Sequence, residues 1–295
     1  MGDNLDHVLS TITPTTIDEA ELTKFRSEAD FVEKYIELLI EAGSSIIICG
    51  HILPNGAEGW TRNEAIIGGL LIRLHKLIDM FLDQVRRDRR ETVFMAARLH
   101  FETVVNMFFL MDDPSAEVFN DFVHYSLQYE IRLLDKIRRN IGERGGVEEP
   151  IEARMQISIN RAFERARTTE QEARAWKKGK WSKLDLYRRS ELIGLQDVYL
   201  AVFRGGSLII HGNWADLDQH HLKFENDLFN PVSEFNPVRP QYFDPLCSLS
   251  IHAFRRTIEH YGLINIHSRA VDMCNDYLSR LKTLSEAHEA FLAKA

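Results

Sequence analysis

The chain has 295 residues, of which 44% are apolar, so it can bury a hydrophobic core as one large domain or as two smaller ones. Its formal net charge of −8 argues against a surface covered with basic residues for binding long nucleic acid. The charge is uneven, because residues 130–189 contain 16 Lys and Arg against 10 Asp and Glu, a local balance of +6. These residues form either a basic face or ordinary solvated helix faces.

The apolar pattern predicts an all-α protein, a helical bundle whose long helices are joined by short loops. An N-terminal helix is expected to end at Gly43, and a capping box from Thr61 to Glu64 marks the start of the second helix. The predicted helices are 17–42, 61–90, 91–111, 115–140, the polar stretch 151–176, the short pair 187–192 and 195–210, and the C-terminal pair 245–264 and 268–294. The predicted connections are 44–60, which could include a short strand, the loop 142–150 and the irregular segment 212–241.

These elements suggest three regions along the chain. Residues 1–60 supply an N-terminal helix and loop that pack on the core, and residues 61–214 form that helical core. Within the core, the polar stretch 151–180 is a candidate for projecting from the body. Residues 215–295 form the irregular connection and the C-terminal helical pair.

The sequence also indicates a compartment. The three cysteines, Cys49, Cys247 and Cys274, are widely spaced and suggest neither a disulfide framework nor a metal site, which favours a reducing environment. The N-terminus lacks the basic and apolar regions of a signal peptide, and the longest apolar runs, such as 66–72, are too short to span a bilayer. We expect a cytoplasmic protein with no membrane partner.

A stripe of polar residues interrupts the apolar helix predicted at 91–111. Arg98, Glu102 and Asn106 are spaced by four residues and therefore share one helix face. Charges in a core are costly unless they are paired. The stripe is either a polar lock, in which Arg98 and Glu102 form an internal salt bridge, or the wall of a pocket.

A second group lies between Tyr199 and Trp214. If that segment is helical, Arg204, Ser207 and His211 face the same way, because one turn separates Ser207 from His211. The group is open to three interpretations: a catalytic site, a structural set in which Ser207 and His211 bond to each other or to Glu102, or a ligand site.

Together, the segments 97–110 and 199–213 resemble a bacterial family of unknown function that has Arg-x3-Glu and Ser-x3-His motifs. That family is similar in turn to the HEPN (higher eukaryotes and prokaryotes nucleotide-binding) helical domains. The resemblance implies a HEPN-like core and a homodimer. In HEPN ribonucleases an Arg followed by a nearby His forms a metal-independent active site, and Arg204 and His211 fit its spacing. It implies RNA cleavage of a toxin or phage-defence type, with no cofactor and no metal. The alternative is a non-catalytic dimeric sensor or scaffold.

Two further clusters invite functional hypotheses. Lys177, Lys178, Lys180, Trp181 and Lys183 mix positive charge with an aromatic ring, which is typical of RNA contact but also of an exposed loop. His220 and His221 lie near Asp216 and Asp218, either as a metal clip or, as we expect, as a solvated loop. The chain has no zinc-peptidase motif, no phosphate-binding glycine loop and no hydrolase nucleophile elbow.

Overall fold

The structure, a computed structural model, describes residues 7, 9–50, 59–204, 210–262 and 268–294. It is a packed helical bundle with one small hairpin, as the sequence predicts. The helices are α1 (Glu19–Leu22), α2 (Glu28–Gly50), α3 (Arg62–Arg86), α4 (Arg90–Asp112), α5 (Ala116–Ser126), α6 (Gln128–Glu143), α7 (Pro150–Arg165), α8 (Glu170–Ala175), α9 (Leu186–Leu192), α10 (Gln196–Val198), a π-helix (Tyr199–Arg204), α11 (Trp214–His220), a 3-10 turn (Pro240–Tyr242), α12 (Phe243–His260) and α13 (Ser268–Leu292).

Local capping explains where several helices begin. The backbone N–H and the hydroxyl of Thr61 both donate to the Glu64 carboxylate at 2.7 Å, so the predicted start of α3 is confirmed. Ser115 caps α5 by accepting a hydrogen bond from the Val118 N–H. These ends are fixed by residues three apart in the sequence, which is why the sequence pattern reveals them.

Several predicted boundaries were wrong, among them those of 17–42 and 151–176, each of which is two helices. Gly43 does not end α2, because the surrounding turn is buried and packing offsets the low helix propensity of glycine. The helix predicted at 115–140 is two helices that meet at Leu127. The segment 212–241 is not irregular throughout, since it contains α11 and a hairpin.

The hairpin pairs β1 (Leu222–Glu225) with β2 (Leu228–Pro231) in antiparallel register, with Glu225 opposite Leu228. Its two turn residues, Asn226 and Asp227, have φ values of 53° and 62°. Positive φ at both central positions is typical of a type I′ turn, for which Asn and Asp are well suited.

The chain divides into two compact units: one of Met1–Trp60, Ile66–Met111 and Leu186–Ala295, and one of Thr61–Ala65 and Asp112–Asp185. This division differs from the single 61–214 core expected from the sequence. In the first unit, α2, α12 and α13 pack together, and Phe243 lies 5.7 Å from Tyr35 and 5.1 Å from Phe81 between ring centroids. In the second, Ile137 of α6 and Phe163 of α7 are buried, and α6 packs against α7 and α8.

Helix α4 is both long and apolar. Among the described residues it is the one helix long and apolar enough to cross a membrane, but 61% of its most apolar window is buried inside the protein. This burial is typical of the core helix of a globular domain, whose apolar side chains are covered by protein rather than by lipid.

Candidate functional site

Helix α4 contacts the π-helix through aromatic rings. The Phe101 centroid lies 6.2 Å from that of Tyr199 and 6.2 Å from that of Phe203, and Tyr199 and Phe203 stack at 5.0 Å. The structure therefore brings the first motif segment beside the second. Short π-helices are rare in proteins, but those that occur are often found at functional sites.

The polar stripe of α4 borders this aromatic contact. Arg98, Glu102 and Asn106 are all half-buried, and the Arg98 guanidinium carbon lies 4.4 Å from the centroid of the Phe203 ring. At that distance the cation is attracted to the ring face. Within the described residues Arg98 and Glu102 form no ion pair, so the internal salt bridge of the polar-lock interpretation is not seen there.

Two atoms of the stripe are buried without a hydrogen-bond partner among the residues that the structure describes. They are Nε of Arg98 and Oδ1 of Asn106. A buried polar group without a partner costs about 1–3 kcal/mol, so such groups usually face a ligand or a further polar group. The stripe thus has the polar atoms that a pocket wall requires.

His211 is exposed and is followed by Gly212, whose φ of 55° is the left-handed conformation that commonly ends a helix. Asn213 then caps α11, because its side chain accepts a hydrogen bond from the Asp216 N–H at 3.1 Å. The imidazole of His211 is consequently presented to solvent between two helical segments. Ser207 and the side chain of Arg204 lie outside the described part of the chain.

Helix α4 contains a histidine of its own, His100, which is fully buried. His100 Nε2 lies 2.9 Å from the Ser250 hydroxyl of α12, and burial lowers the pKa of His100 to about 3. The ring is therefore neutral at physiological pH and serves as a polar core residue.

The solvated loop expected around His220 is wrong, because Asp216 and His220 are buried on α11. Asn236 donates to Glu91 Oε1 through its side-chain amide at 2.7 Å and through its backbone N–H at 3.1 Å. The His220 Nδ1 atom lies 3.3 Å from the same amide and 3.5 Å from the Glu91 carboxylate. This cluster attaches the segment after the hairpin to the start of α4.

The cluster has a defined electrostatic state. Burial acts to raise the pKa of Glu91, but the hydrogen bonds that its carboxylate accepts, chiefly from Asn236, outweigh it, and the pKa is lowered. Burial and the neighbouring Arg90 lower the pKa of His220. The carboxylate is therefore charged and the imidazole neutral near pH 7, so their contact is not an ion pair under those conditions.

A metal clip is not supported in this region. His221 is exposed, and its Nε2 atom lies 3.6 Å from Oδ2 of the buried Asp216. Over the described ranges, no three His, Cys, Asp or Glu side chains are arranged to hold a metal ion.

The predicted basic cluster is only partly available for binding. Lys178 donates to Glu117 at 2.8 Å and to Asp121 at 2.7 Å, so its charge is neutralised locally. Trp181 is 9% exposed and packs edge-to-face on Phe122 with a centroid distance of 5.1 Å. Contrary to the prediction, it offers no open ring face for stacking on a base.

The other three lysines of this cluster, Lys177, Lys180 and Lys183, are exposed. The sequence pattern does not predict the hydrogen bonds between Glu91 and Asn236, which attach two distant segments. The two residues are 145 positions apart, and nothing local to either residue indicates the other.

These features define a mostly helical protein in which a long apolar helix carries a polar stripe beside a π-helix, and in which His211 is exposed. A family model described as a family of unknown function, DUF5677, matches residues 64–229, more than half of the chain, and includes both motif segments. The chain belongs to this family. No curated protein and no solved structure matches it.

Proposed function

We propose that this protein is a metal-independent endoribonuclease of the toxin or phage-defence type, with a HEPN-like core. The observation that carries the proposal is the exposure of His211, which leaves its imidazole accessible to a substrate. A buried His211, bonded to Ser207 or Glu102, would have favoured a structural role.

The proposed chemistry follows from the residue types. An imidazole exchanges protons near neutral pH, so His211 would take the proton of a ribose 2′-hydroxyl or protonate the leaving oxygen. Arg204 would stabilise the charge that develops on the phosphate, and Ser207 would orient the histidine. The products would be a 2′,3′-cyclic phosphate and a free 5′-hydroxyl, and no metal enters the reaction.

The assembly and location belong to the same proposal. HEPN ribonucleases usually place two copies of the Arg and His pair across a homodimer, so we propose a homodimer acting on RNA in the cytoplasm, away from membranes. The three cysteines are buried thiols, which is compatible with a reducing compartment.

The test is cleavage of a single-stranded RNA in buffer that contains EDTA. We expect His211→Ala to lower the cleavage rate about 100-fold or more, since general acid–base catalysis contributes on that scale. His260→Ala is the matched control, because His260 is another exposed histidine of the same unit, and it should cleave like the wild type. Intact RNA after incubation with the wild-type protein would contradict the proposal.

A stability measurement separates catalysis from a polar lock. Because His211 is exposed, His211→Ala should change the free energy of unfolding by no more than about 0.5 kcal/mol, as for most surface substitutions. A lock that includes His211 requires a loss of about 1–3 kcal/mol, because a buried partner would lose its hydrogen bond. Urea unfolding of the two proteins measures the difference.

One observation favours the second candidate, a non-catalytic dimeric sensor or scaffold with a pocket for a small ligand. Arg98 Nε and Asn106 Oδ1, which are buried and have no hydrogen-bond partner among the described residues, supply a donor and an acceptor on one face of α4. Under this candidate the wild-type protein is dimeric and leaves RNA intact, and Asn106→Leu is at least as stable as the wild type because an unsatisfied buried group is removed.

A further inference from the structure

A groove of about 620 Å³ lies within the second unit, between the α5–α6 corner and the end of α8. Its walls include the rings of Tyr125, Tyr129 and Trp176 and the cations Arg132 and Lys177. None of the residues that line it carries a carboxylate. The groove therefore combines a positive charge with aromatic surface.

The rings are presented to solvent rather than packed away. Tyr125 is 46% exposed and Tyr129 is 62% exposed, which is unusual for large aromatic side chains. Tyr129 and Arg132 are three residues apart on α6 and so lie on the same face of the helix. An aromatic ring and a guanidinium thus point to the same side.

The wall of the groove formed by Trp176 and the end of α8 is fixed in place by hydrogen bonds. The Trp176 indole N–H donates to Asp121 at 2.8 Å, and the Trp176 ring meets Tyr125 edge-to-face at 6.2 Å. Gln128 donates to the Ala173 carbonyl at 3.0 Å and thereby holds the end of α8 beside α6. The groove is consequently preformed, which lowers the entropic cost of binding.

Three cations around the groove are already paired with carboxylates. Arg138 pairs with Glu170, Arg174 pairs with both Asp135 and Glu170, and Lys178 pairs with Glu117 and Asp121. Arg132 and Lys177, in contrast, form no ion pair within the described residues. The two cations that line the groove are therefore able to bind an anion.

From these observations we propose that the groove binds single-stranded nucleic acid, one or two nucleotides at a time. Bases stack on Tyr129 and Tyr125, and the backbone phosphates contact Arg132 and Lys177. Exposed rings beside unpaired cations are what single-stranded binding requires, because stacking accepts any base and the cations follow the backbone. A duplex keeps its bases stacked on one another and cannot use the rings. This inference does not depend on the ribonuclease proposal.

The test uses a fluorescein-labelled, 2′-O-methylated RNA dodecamer, which cannot be cleaved through its 2′-position, and measures binding to the full chain by anisotropy. We expect Tyr129→Ala to weaken binding about fivefold or more, on the scale of a lost base stack, and Tyr129→Phe to bind within about twofold of the wild type. Arg132→Gln should reduce the slope of log affinity against log salt by about 0.7, the value for one lost phosphate contact. Circular dichroism checks that each variant folds.

Controls keep the result specific to the groove. Arg154→Gln removes an exposed cation of the same unit that does not line the groove, and it should bind like the wild type. His211→Ala should also bind like the wild type, so a failure of catalysis leaves this result intact. The proposal is overturned by wild-type protein that does not bind, by Tyr129→Ala that binds normally, or by a duplex or an acidic peptide that competes as well as the single strand.

Discussion

Several polar side chains of this chain lie among apolar ones, and His100 is a fully buried example. It lies in the apolar helix α4, two residues from both Arg98 and Glu102 of the polar stripe, yet its partner Ser250 is 150 residues away. The sequence pattern reveals the stripe because four-residue spacing is visible locally. It could not reveal His100, since a histidine becomes distinctive only through its surroundings in the fold.

The depressed pKa of His100 predicts a pH dependence of stability. Because its folded pKa is about 3 and its ordinary value is 6.5, the unfolded chain binds the proton more readily. Stability is therefore greatest above pH 6.5 and is lost as the pH falls from 6.5 towards 3, by about 1.4 kcal/mol per pH unit from this residue. Urea unfolding of the wild type and His100→Gln between pH 7.5 and 4.5 measures this difference in slope.

Ser250→Ala provides the control for that experiment. It removes the hydroxyl partner but leaves His100 buried, so it should keep the pH slope of the wild type while lowering stability at every pH. If His100→Gln and the wild type lose stability in parallel as the pH falls, the imidazole is not the group responsible.

Trp181 and Tyr129 also show that the surroundings of a side chain in the fold cannot be predicted from its neighbours in the sequence. The four lysines that surround Trp181 in the sequence predict a stacking residue, but Phe122 packs against its ring in the fold. Tyr129 has no such neighbours in sequence and yet has the more exposed ring. Exposure is a property of the packed structure, so local composition does not show which aromatic ring is open to solvent.

Among the helices, α2 and α13 are joined by a buried ion pair. Arg280 donates to both carboxylate oxygens of Glu41, at 2.6 and 2.8 Å, and Glu41 also accepts the backbone N–H of Thr15 at 2.8 Å. Burial acts to lower the pKa of Arg280, but the hydrogen bonds and charge of Glu41 outweigh it and the pKa is raised. The pair fixes the N-terminal segment and two long helices relative to one another.

We expect Glu41→Ala to lower the free energy of unfolding by about 3–5 kcal/mol, because it leaves a half-buried guanidinium without its main partner. The double variant Glu41→Leu, Arg280→Met should be more stable than that single variant, since no charge then remains buried. Urea unfolding measures both. Glu286→Ala breaks the exposed pair with Lys282 on the same helix and should cost at most about 1 kcal/mol. A double variant less stable than Glu41→Ala would contradict this account.

The sequence was a good guide to elements whose ends are set locally and a poor guide to those set by distant contacts. The capping residues Thr61 and Ser115 lie three positions from their partners, so their helices could be located. The first helix after Gly212 was not predicted, because distant contacts hold it in place. Helix α11 has seven residues and is held by Glu91 and Asn236 through tertiary contacts, and a helix that short has little propensity signal of its own.

At the scale of the whole molecule, the second unit is formed almost entirely by one continuous stretch, Asp112–Asp185, and the first unit by the segments on either side. The family match, at residues 64–229, includes all of that stretch. The sequence could not place this division, because the apolar periodicity continues through it. Only the pattern of contacts between helices separates the units.

This division predicts that a substitution can destabilise the second unit without destabilising the first. Phe163→Ala should open a cavity in a core that includes Ile137, at a cost of about 3–5 kcal/mol. Hydrogen exchange measured by mass spectrometry should then accelerate in α6, α7 and α8 while α2, α12 and α13 keep the protection of the wild type. Equal acceleration throughout the chain would mean that the two units unfold as one cooperative body.

The π-helix also makes the packing of this segment on α4 depend on how many residues the segment contains, and not only on which residues they are. Each residue of an α-helix turns the chain by about 100°, and a π turn holds one residue more than an α turn can. Deleting the exposed Leu200 would let the segment return to α-helical hydrogen bonding and would rotate the later residues of the segment by roughly one residue step. A relative that is one residue shorter between Tyr199 and Arg204 should therefore present a different side chain to α4 at the position that Phe203 occupies in this protein.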